Sequence, residues 1–340
     1  MKLLIKIKKF FIALYHLFVA AGKGFVEDRV TKLSAALAYY TIFSLTPLII
    51  IILASATLFF GNKMETRDKF FVEVTELVGD KAATQLQQFV DNANKTGQST
   101  IGLIIGIATL IVGATAIFIE IQDSINLIWK VKARPKKGWL KMITNRLLSF
   151  SLIVSMGFLL LVSLVINSVV VGLGDKLVSL LSESKIDEVV PVANDTMALL
   201  IQILNNVITL AAVTAVFTII FKVLPDVNIK WKSAVIGALF TAVLFSLGKY
   251  IIGIYIEKGN PGSAFGAASS IIVILLWIYY TSIILYFGAE FTQAYAEKYD
   301  GGISPSKYAV HTQITIVEKK VDVLPPQHPD ETVDSKDDKG

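Results

Sequence analysis

"LSAALAYYTIFSLTPLIIIILASATLFF", Leu33–Phe60, holds no charged side chain and is long enough to cross a bilayer. Near its middle stands Pro47, preceded by Thr46 and Ser44. Proline has no N–H to donate, and its ring displaces the carbonyl four residues back, that of Phe43. In hydrocarbon a freed carbonyl needs a protein or water partner. The stretch therefore reads as a broken transmembrane helix inside a larger bundle, its hydroxyls beside the break and neighbouring helices covering it. Two readings of Ser44, Thr46 and Pro47 stay open: a fixed bend that improves packing, or a hinge and polar lining beside a translocation route.

The rest of the chain fits that frame. Of its 340 residues 54% are hydrophobic and 17% charged, with a mean hydropathy of +0.63. A soluble chain carries about 25% charged residues, so this is the composition of a multi-span membrane protein. The absence of cysteine excludes disulfides, thiolate-bound zinc, iron–sulfur clusters and thiol catalysis. The net charge of +5 sits in short blocks beside apolar runs, a pattern that orients a membrane protein rather than one that binds nucleic acid.

Six apolar stretches are long enough to span: 33–60, 101–128, 146–173, 198–222, 233–256 and 266–295. The expected fold is an all-α polytopic bundle. Bases mark alternate connections. Lys23, Arg29 and Lys32 precede the first span; Lys130, Lys132, Arg134, Lys136, Lys137 and Lys141 follow the second; Lys230 and Lys232 follow the fourth. The loop at 174–197 is acidic instead, through Asp175, Glu183, Asp187, Glu188 and Asp195. Both termini are thus expected in the cytoplasm, with 61–100, 174–197 and 257–265 outside.

Residues 1–24, within the N-terminal region 1–30, mimic a cleavable signal, but cleavage would carry every basic loop outward. They read as an amphipathic helix on the cytoplasmic leaflet, lysines toward anionic headgroups. The membrane domain covers 31–296. Within its outer loop, Phe71, Val74, Leu77 and Val78 keep helical spacing and predict a small helical cap. Residues 297–340 form a cytoplasmic tail whose end, rich in proline and charge, is expected to be disordered. No internal repeat is evident.

Small residues mark candidate packing faces. Gly102, Gly106 and Gly113 fall at helical spacing in the second span, Gly237 with Thr241 in the fifth, and Gly266 at the start of the sixth. Polar residues mark a candidate translocation path or vestibule. Glu120, Asp123 and Asn126 lie near one stripe of the second span with Lys130. Glu120 lies about 28 Å below Ile101, close to the cytoplasmic headgroups. Interfacial charges paired along the helix and a polar vestibule are both open there. Glu290 lies near the inner end of the sixth span, with Lys222 at a similar depth as a candidate partner. Lys249 either snorkels to the outer side or attracts an anionic group.

Four blocks, "LSAALAYYTIFSLTPLIII", "AIFIEIQDSINLIWKVKARP", "VLPDVNIKWKSAVIGALFTAVLFSLGKYI" and "SAFGAASSIIVILLWIYYTSIILYFGAEF", resemble the YihY/BrkB family of bacterial inner-membrane proteins. They cover most of 33–293, leaving the N-terminal helix and the tail beyond about 300 outside the resemblance. Phe265 stands where that family has Tyr, so this chain has no hydroxyl at that position. The resemblance implies a six-span inner-membrane protein and a candidate role in moving lipids or lipid-like molecules. The family once carried a ribonuclease label. The three histidines, His16, His311 and His328, lie beside no acid cluster and outside every expected span, which argues against that chemistry.

The expected function is therefore a translocator of a lipid or other amphiphile, not an enzyme. It uses no cofactor or metal, and it lacks the GxxxxGK[ST] loop that ATP-driven transport by that route requires. Membrane lipids are the expected partners. A scaffold docking an envelope protein through the outer loop, or a solute exporter, are the alternatives.

Overall fold

The structure, a computed structural model, describes residues 2–43, 116–134, 190–259 and 269–313, isolated positions among residues 68–88, and Pro261 and Phe265. Helix α1 (Lys2–Glu27) turns at Asp28 and Arg29 into α2 (30–43). Helix α3 (116–128) runs into strand β1 (Val131–Ala133). Then follow α4 (Val190–Val223), β2 (Val227–Asn228), α5 (Trp231–Gly259), α6 (Ser269–Tyr299), β3 (Ser304–Pro305) and β4 (Ala309–His311). The pivotal Ser44, Thr46 and Pro47 lie outside the described residues, as do Gly102, Gly106, Gly113 and Gly266 and the expected span at 146–173.

Local chemistry sets the helix ends. Proline disfavours helical backbone in the residue before it, so Pro225 makes Leu224 leave the helix and α4 stops at Val223. At its start α4 reaches into the expected loop 174–197, beginning at Val190, with Pro191 in the first turn, where a missing N–H costs nothing. Helix α6 closes on Gly301 and Gly302, both at positive φ, and the Gly302 N–H reaches back to the Ala296 carbonyl at 2.9 Å.

Three described helices are long and apolar enough to cross a membrane, within Asn206–Val223, Trp231–Gly259 and Ile271–Tyr299. They pack in chain order, α4 on α5 and α5 on α6. The buried face of α5 is built largely from small residues: Ser233, Ala234, Gly237, Ala238, Thr241, Ala242 and Gly248. Small side chains let backbones approach where lipid supplies no hydrophobic drive for association. Gly237 backs onto the Thr292 side chain, and Gly288 backs onto Thr241. The motif Gly-x-x-x-Thr thus occurs on both helices, antiparallel and interlocked. Each threonine hydroxyl folds back on its own glycine's carbonyl, Thr241 to Gly237 at 2.7 Å and Thr292 to Gly288 at 2.6 Å.

Helix α1 packs along α6 through Leu17 and Ala21 against Phe291, with Phe240 and Phe287 completing the cluster. Phe240 and Phe291 stack with centroids 3.7 Å apart. Lys8, Lys9 and Lys23 stay exposed, and so do Phe11, Tyr15 and Val26. An N-terminal helix is present, and one face of it is committed to a membrane-helix neighbour.

The purely helical expectation needs one correction. Strand β1 pairs antiparallel with β4 (Val131 opposite His311) and β2 with β3 (Val227 opposite Pro305). Strands of two and three residues leave no alternating pattern to read in a sequence. Residues 300–313, the first part of the expected cytoplasmic tail, are drawn back by these pairings. The strands gather the ends of α3 and α6 and the α4–α5 connection at one end of the bundle.

Candidate functional site

The site is built at this strand-bearing end. In α3, Phe118, Ile121, Ile125 and Ile128 recur at helical spacing and are buried in the main core with Phe217, Phe221 and Ala289. That anchoring carries polar residues into the same interface. Asn126, 5% exposed, donates from Nδ2 to Oδ2 of Asp226 at 2.9 Å and accepts the Asp226 backbone N–H at Oδ1, also at 2.9 Å. Gln122 adds a bond to the same carboxylate oxygen at 3.2 Å. A buried carboxylate is tolerated when hydrogen bonds replace its hydration, so this cluster ties α3 to the turn between α4 and β2.

One turn on, the indole of Trp129 donates to the Ala289 carbonyl at 3.1 Å. Lys130 follows at φ 55°, and its ammonium pairs with the Asp28 carboxylate. Asp28 sits in the α1–α2 corner beside Arg29, at φ 52°. A left-handed backbone at a residue other than glycine costs roughly 1–2 kcal/mol. Two such corners are therefore held face to face by one ion pair.

Glu290 completes the group. Its carboxylate lies against Gly24 of α1, where a Cβ would overlap it, and its charged neighbours are Asp28, Lys130 and Glu27. The residue is 5% exposed, and Oε1 has no hydrogen-bond partner among the described residues. The buried hydroxyls of Tyr286, one turn earlier on α6, and of Ser34 on α2 are likewise unpartnered among them. Tyr286 has Ser124 and Glu120 as polar neighbours, and the Ser124 hydroxyl donates to Glu120 at 3.3 Å. The seam between α3 and α6 thus carries Glu120, Ser124, Tyr286 and Glu290 in turn, ending at Asp28 and Lys130.

The residues singled out by sequence fall into different places. Glu120 and Glu290 share the seam. Asn126 is buried in the joint with Asp226, whereas Asp123 points to the exposed side of α3. Lys222, a candidate partner for Glu290, instead donates to the Ile229 carbonyl and lies 5.5 Å from the centroid of the Trp231 ring. Lys249 lies over the Tyr250 ring at 5.6 Å. Asp28, Asp226, Trp129 and Tyr286 were not anticipated. The available signal was a charged or polar residue at a helix end beside a turn, in "VEDRV" and "VLPDVN". Among the described residues no cluster of three or more His, Asp or Glu could hold a metal ion. A shallow groove of about 400 Å³ lies beside β2 and β3, lined by Lys230, Asp300, Gly301 and Gly302, with the Asp300 carboxylate held by Ser233.

Comparison with known proteins extends the sequence resemblance. The profile of the family described as Virulence factor BrkB matches residues 21–311, which takes in the end of α1 and all four strands. A UPF0761 membrane protein of Alcanivorax borkumensis is 26% identical over 82% of this chain and 59% of its own length. One of Pseudomonas aeruginosa is 28% identical over 78% of this chain and 59% of its own. One of Saccharophagus degradans is 27% identical over 86% and 62%. This chain thus spans about three fifths of the length of these relatives. No solved structure matches.

Proposed function

Because the chain belongs to the Virulence factor BrkB family and is a membrane protein, we propose that it crosses the bacterial inner membrane six times and moves a lipid or other amphiphile across it. Both termini lie in the cytoplasm. The support for that orientation is the gathering of Arg29, Lys32, Lys130, Lys132, Arg134, Lys230 and Lys232 at the strand-bearing end, since cytoplasmic connections carry the excess of Lys and Arg.

The observation that carries the translocation reading is the α3–α6 seam. Acids and hydroxyls set into apolar helices are expensive, and in membrane proteins they line cavities or pathways. Here Glu290, Tyr286 and Ser34 are buried with polar atoms left over among the described residues. An amphiphile needs only such a polar strip for its headgroup, with its tails remaining in lipid. The reading is non-enzymatic and names no cofactor.

Purified protein in liposomes with headgroup-labelled lipids tests it. Loss of leaflet asymmetry faster than in protein-free vesicles is expected, and slower in Glu120→Ala and Glu290→Ala than in Lys249→Ala. Unchanged asymmetry across anionic, zwitterionic and glycosylated lipids would leave the scaffold reading in its place.

A further inference from the structure

We infer that Glu290, facing Asp28 and Lys130, is an exchangeable proton-binding site opening to the cytoplasmic end of the bundle. A proton bound there supplies the coupling ion of the translocation reading, on which this step rests, and the test below separates the two.

Charge and geometry converge on this carboxyl. The described charged groups around Glu290 are Glu27 and Asp28 from the end of α1 and its corner, and Lys130 from the end of α3. To the neighbouring stretch of α6, α5 brings Gly237 and Thr241. Lys130 is already engaged by Asp28, whose side chain is 8% exposed. One ammonium therefore serves two buried carboxyls. A buried carboxylate that must share its one counter-charge with a second carboxylate is disfavoured, and neutralisation by a proton relieves it. Oε1 of Glu290 is the atom left without a donor among the described residues.

Solvent approaches the group through Lys130. Its side chain is 39% exposed, so the Asp28–Lys130 pair reaches water while Glu290 does not. A proton from hydronium forms an O–H bond at the Glu290 carboxyl, leaving water behind; its return to water restores the carboxylate, and no other bond changes. On the inner side, Tyr286 stands one turn from Glu290 with its hydroxyl unpartnered among the described residues and Ser124 and Glu120 beside it. The seam thus offers a further proton acceptor deeper along α3. Gly24 matters because its missing side chain lets α1 close over the carboxyl. Charge at Glu290 then bears directly on how α1 and its corner sit on α6.

The test is infrared difference spectroscopy on the full chain in liposomes, between acidic and alkaline buffer. A protonated-carboxyl component should disappear on raising the pH, be lost in Glu290→Gln, and remain in Glu297→Gln, which changes an exposed acid of the same helix. Glu290→Asp keeps a carboxyl and should keep the component with a shifted midpoint, which separates loss of the site from loss of the fold. Identical difference spectra for wild type and Glu290→Gln would overturn the proposal. Labelled-lipid movement under an imposed pH gradient is the second arm. A Glu290 component without lipid movement retires the translocator and leaves the proton site standing. Gradient-independent lipid movement without that component does the reverse.

Discussion

Asn126 and Asp226 close a two-way hydrogen bond across 100 residues of sequence, side chain to side chain and backbone to side chain, both at 2.9 Å. The pair welds the last turn of α3 to the turn after α4. Asn126→Leu keeps the branched shape but removes both bonds to Asp226, leaving Gln122 to donate to its carboxylate. Hydrogen bonds to charged groups contribute about 1.5–3 kcal/mol each, so a clear fall in unfolding temperature is expected in detergent micelles. Asn126→Asp, which sets two carboxylates face to face, should fall further at neutral pH. A Leu variant as stable as wild type would show that the joint does not hold the bundle.

That joint also shows what local pattern can and cannot reveal. Helices α4, α5 and α6 are visible as apolar runs of spanning length, and Gly237 with Thr241 is visible as a small-residue face, because both signals are periodic and local. The seam is not. Asn126 and Asp226, Trp129 and Ala289, and Lys130 and Asp28 are each joined by contacts between residues 100 or more apart. Spacing along α3 therefore places Glu120, Asp123 and Asn126 near one stripe without saying that Asn126 is consumed by a structural bond. Lys130 reads as a base that orients the chain, and its contact with an acid at the α1–α2 corner depends on left-handed backbone at Arg29 and Lys130 that nothing in the residue types announces.

The interlocked Gly-x-x-x-Thr motifs give a paired prediction. A Cβ at Gly288 would run into the Thr241 side chain, whose hydroxyl is already held by the Gly237 carbonyl. A short β-branched side chain cannot swing clear, so α5 and α6 must separate. Overpacking of this kind costs about 1–3 kcal/mol. At Gly253, on the same α5, an added Cβ would meet nothing within 4 Å. There Gly→Ala should be neutral or stabilise by up to about 1 kcal/mol through helix propensity. Thermal unfolding of Gly288→Ala and Gly253→Ala in the same detergent compares them; equal shifts would mean that the close approach carries no weight.

The Asp28–Lys130 contact should be asymmetric to mutation. Lys130→Met leaves Asp28 and Glu290 facing each other without a cation, whereas Asp28→Asn leaves Lys130 beside Glu290. The lysine variant should therefore be the less stable. Groups in contact couple by about 0.5–3 kcal/mol, and the partial exposure of Lys130 places this pair toward the lower end. A double-mutant cycle with Asp28→Asn and Lys130→Met measures the coupling. Purely additive effects would mean that the two left-handed corners hold their shape without the ion pair.

The proposed six-span orientation can be tested on single cysteines, because the chain contains none and gives no background labelling. Lys9 on α1, Lys232 at the start of α5 and Lys307 between β3 and β4 are all exposed, and so is Gln88 in the stretch between α2 and α3. With basic connections inside, cysteines at 9, 232 and 307 should react with a membrane-impermeant maleimide only after the inner membrane is opened. Gln88→Cys should react in spheroplasts that are still sealed. The four sites are not redundant. Lys9, Lys232 and Lys307 are joined to one end of the bundle by the α1–α6 packing and the β2–β3 and β1–β4 pairings, so they should report the same side. Gln88 alone reports whether the chain crosses between α2 and α3. If it labels from the same side as Lys307, the chain returns to the side it left before α3 begins. The count of six then fails even though α4, α5 and α6 keep their places.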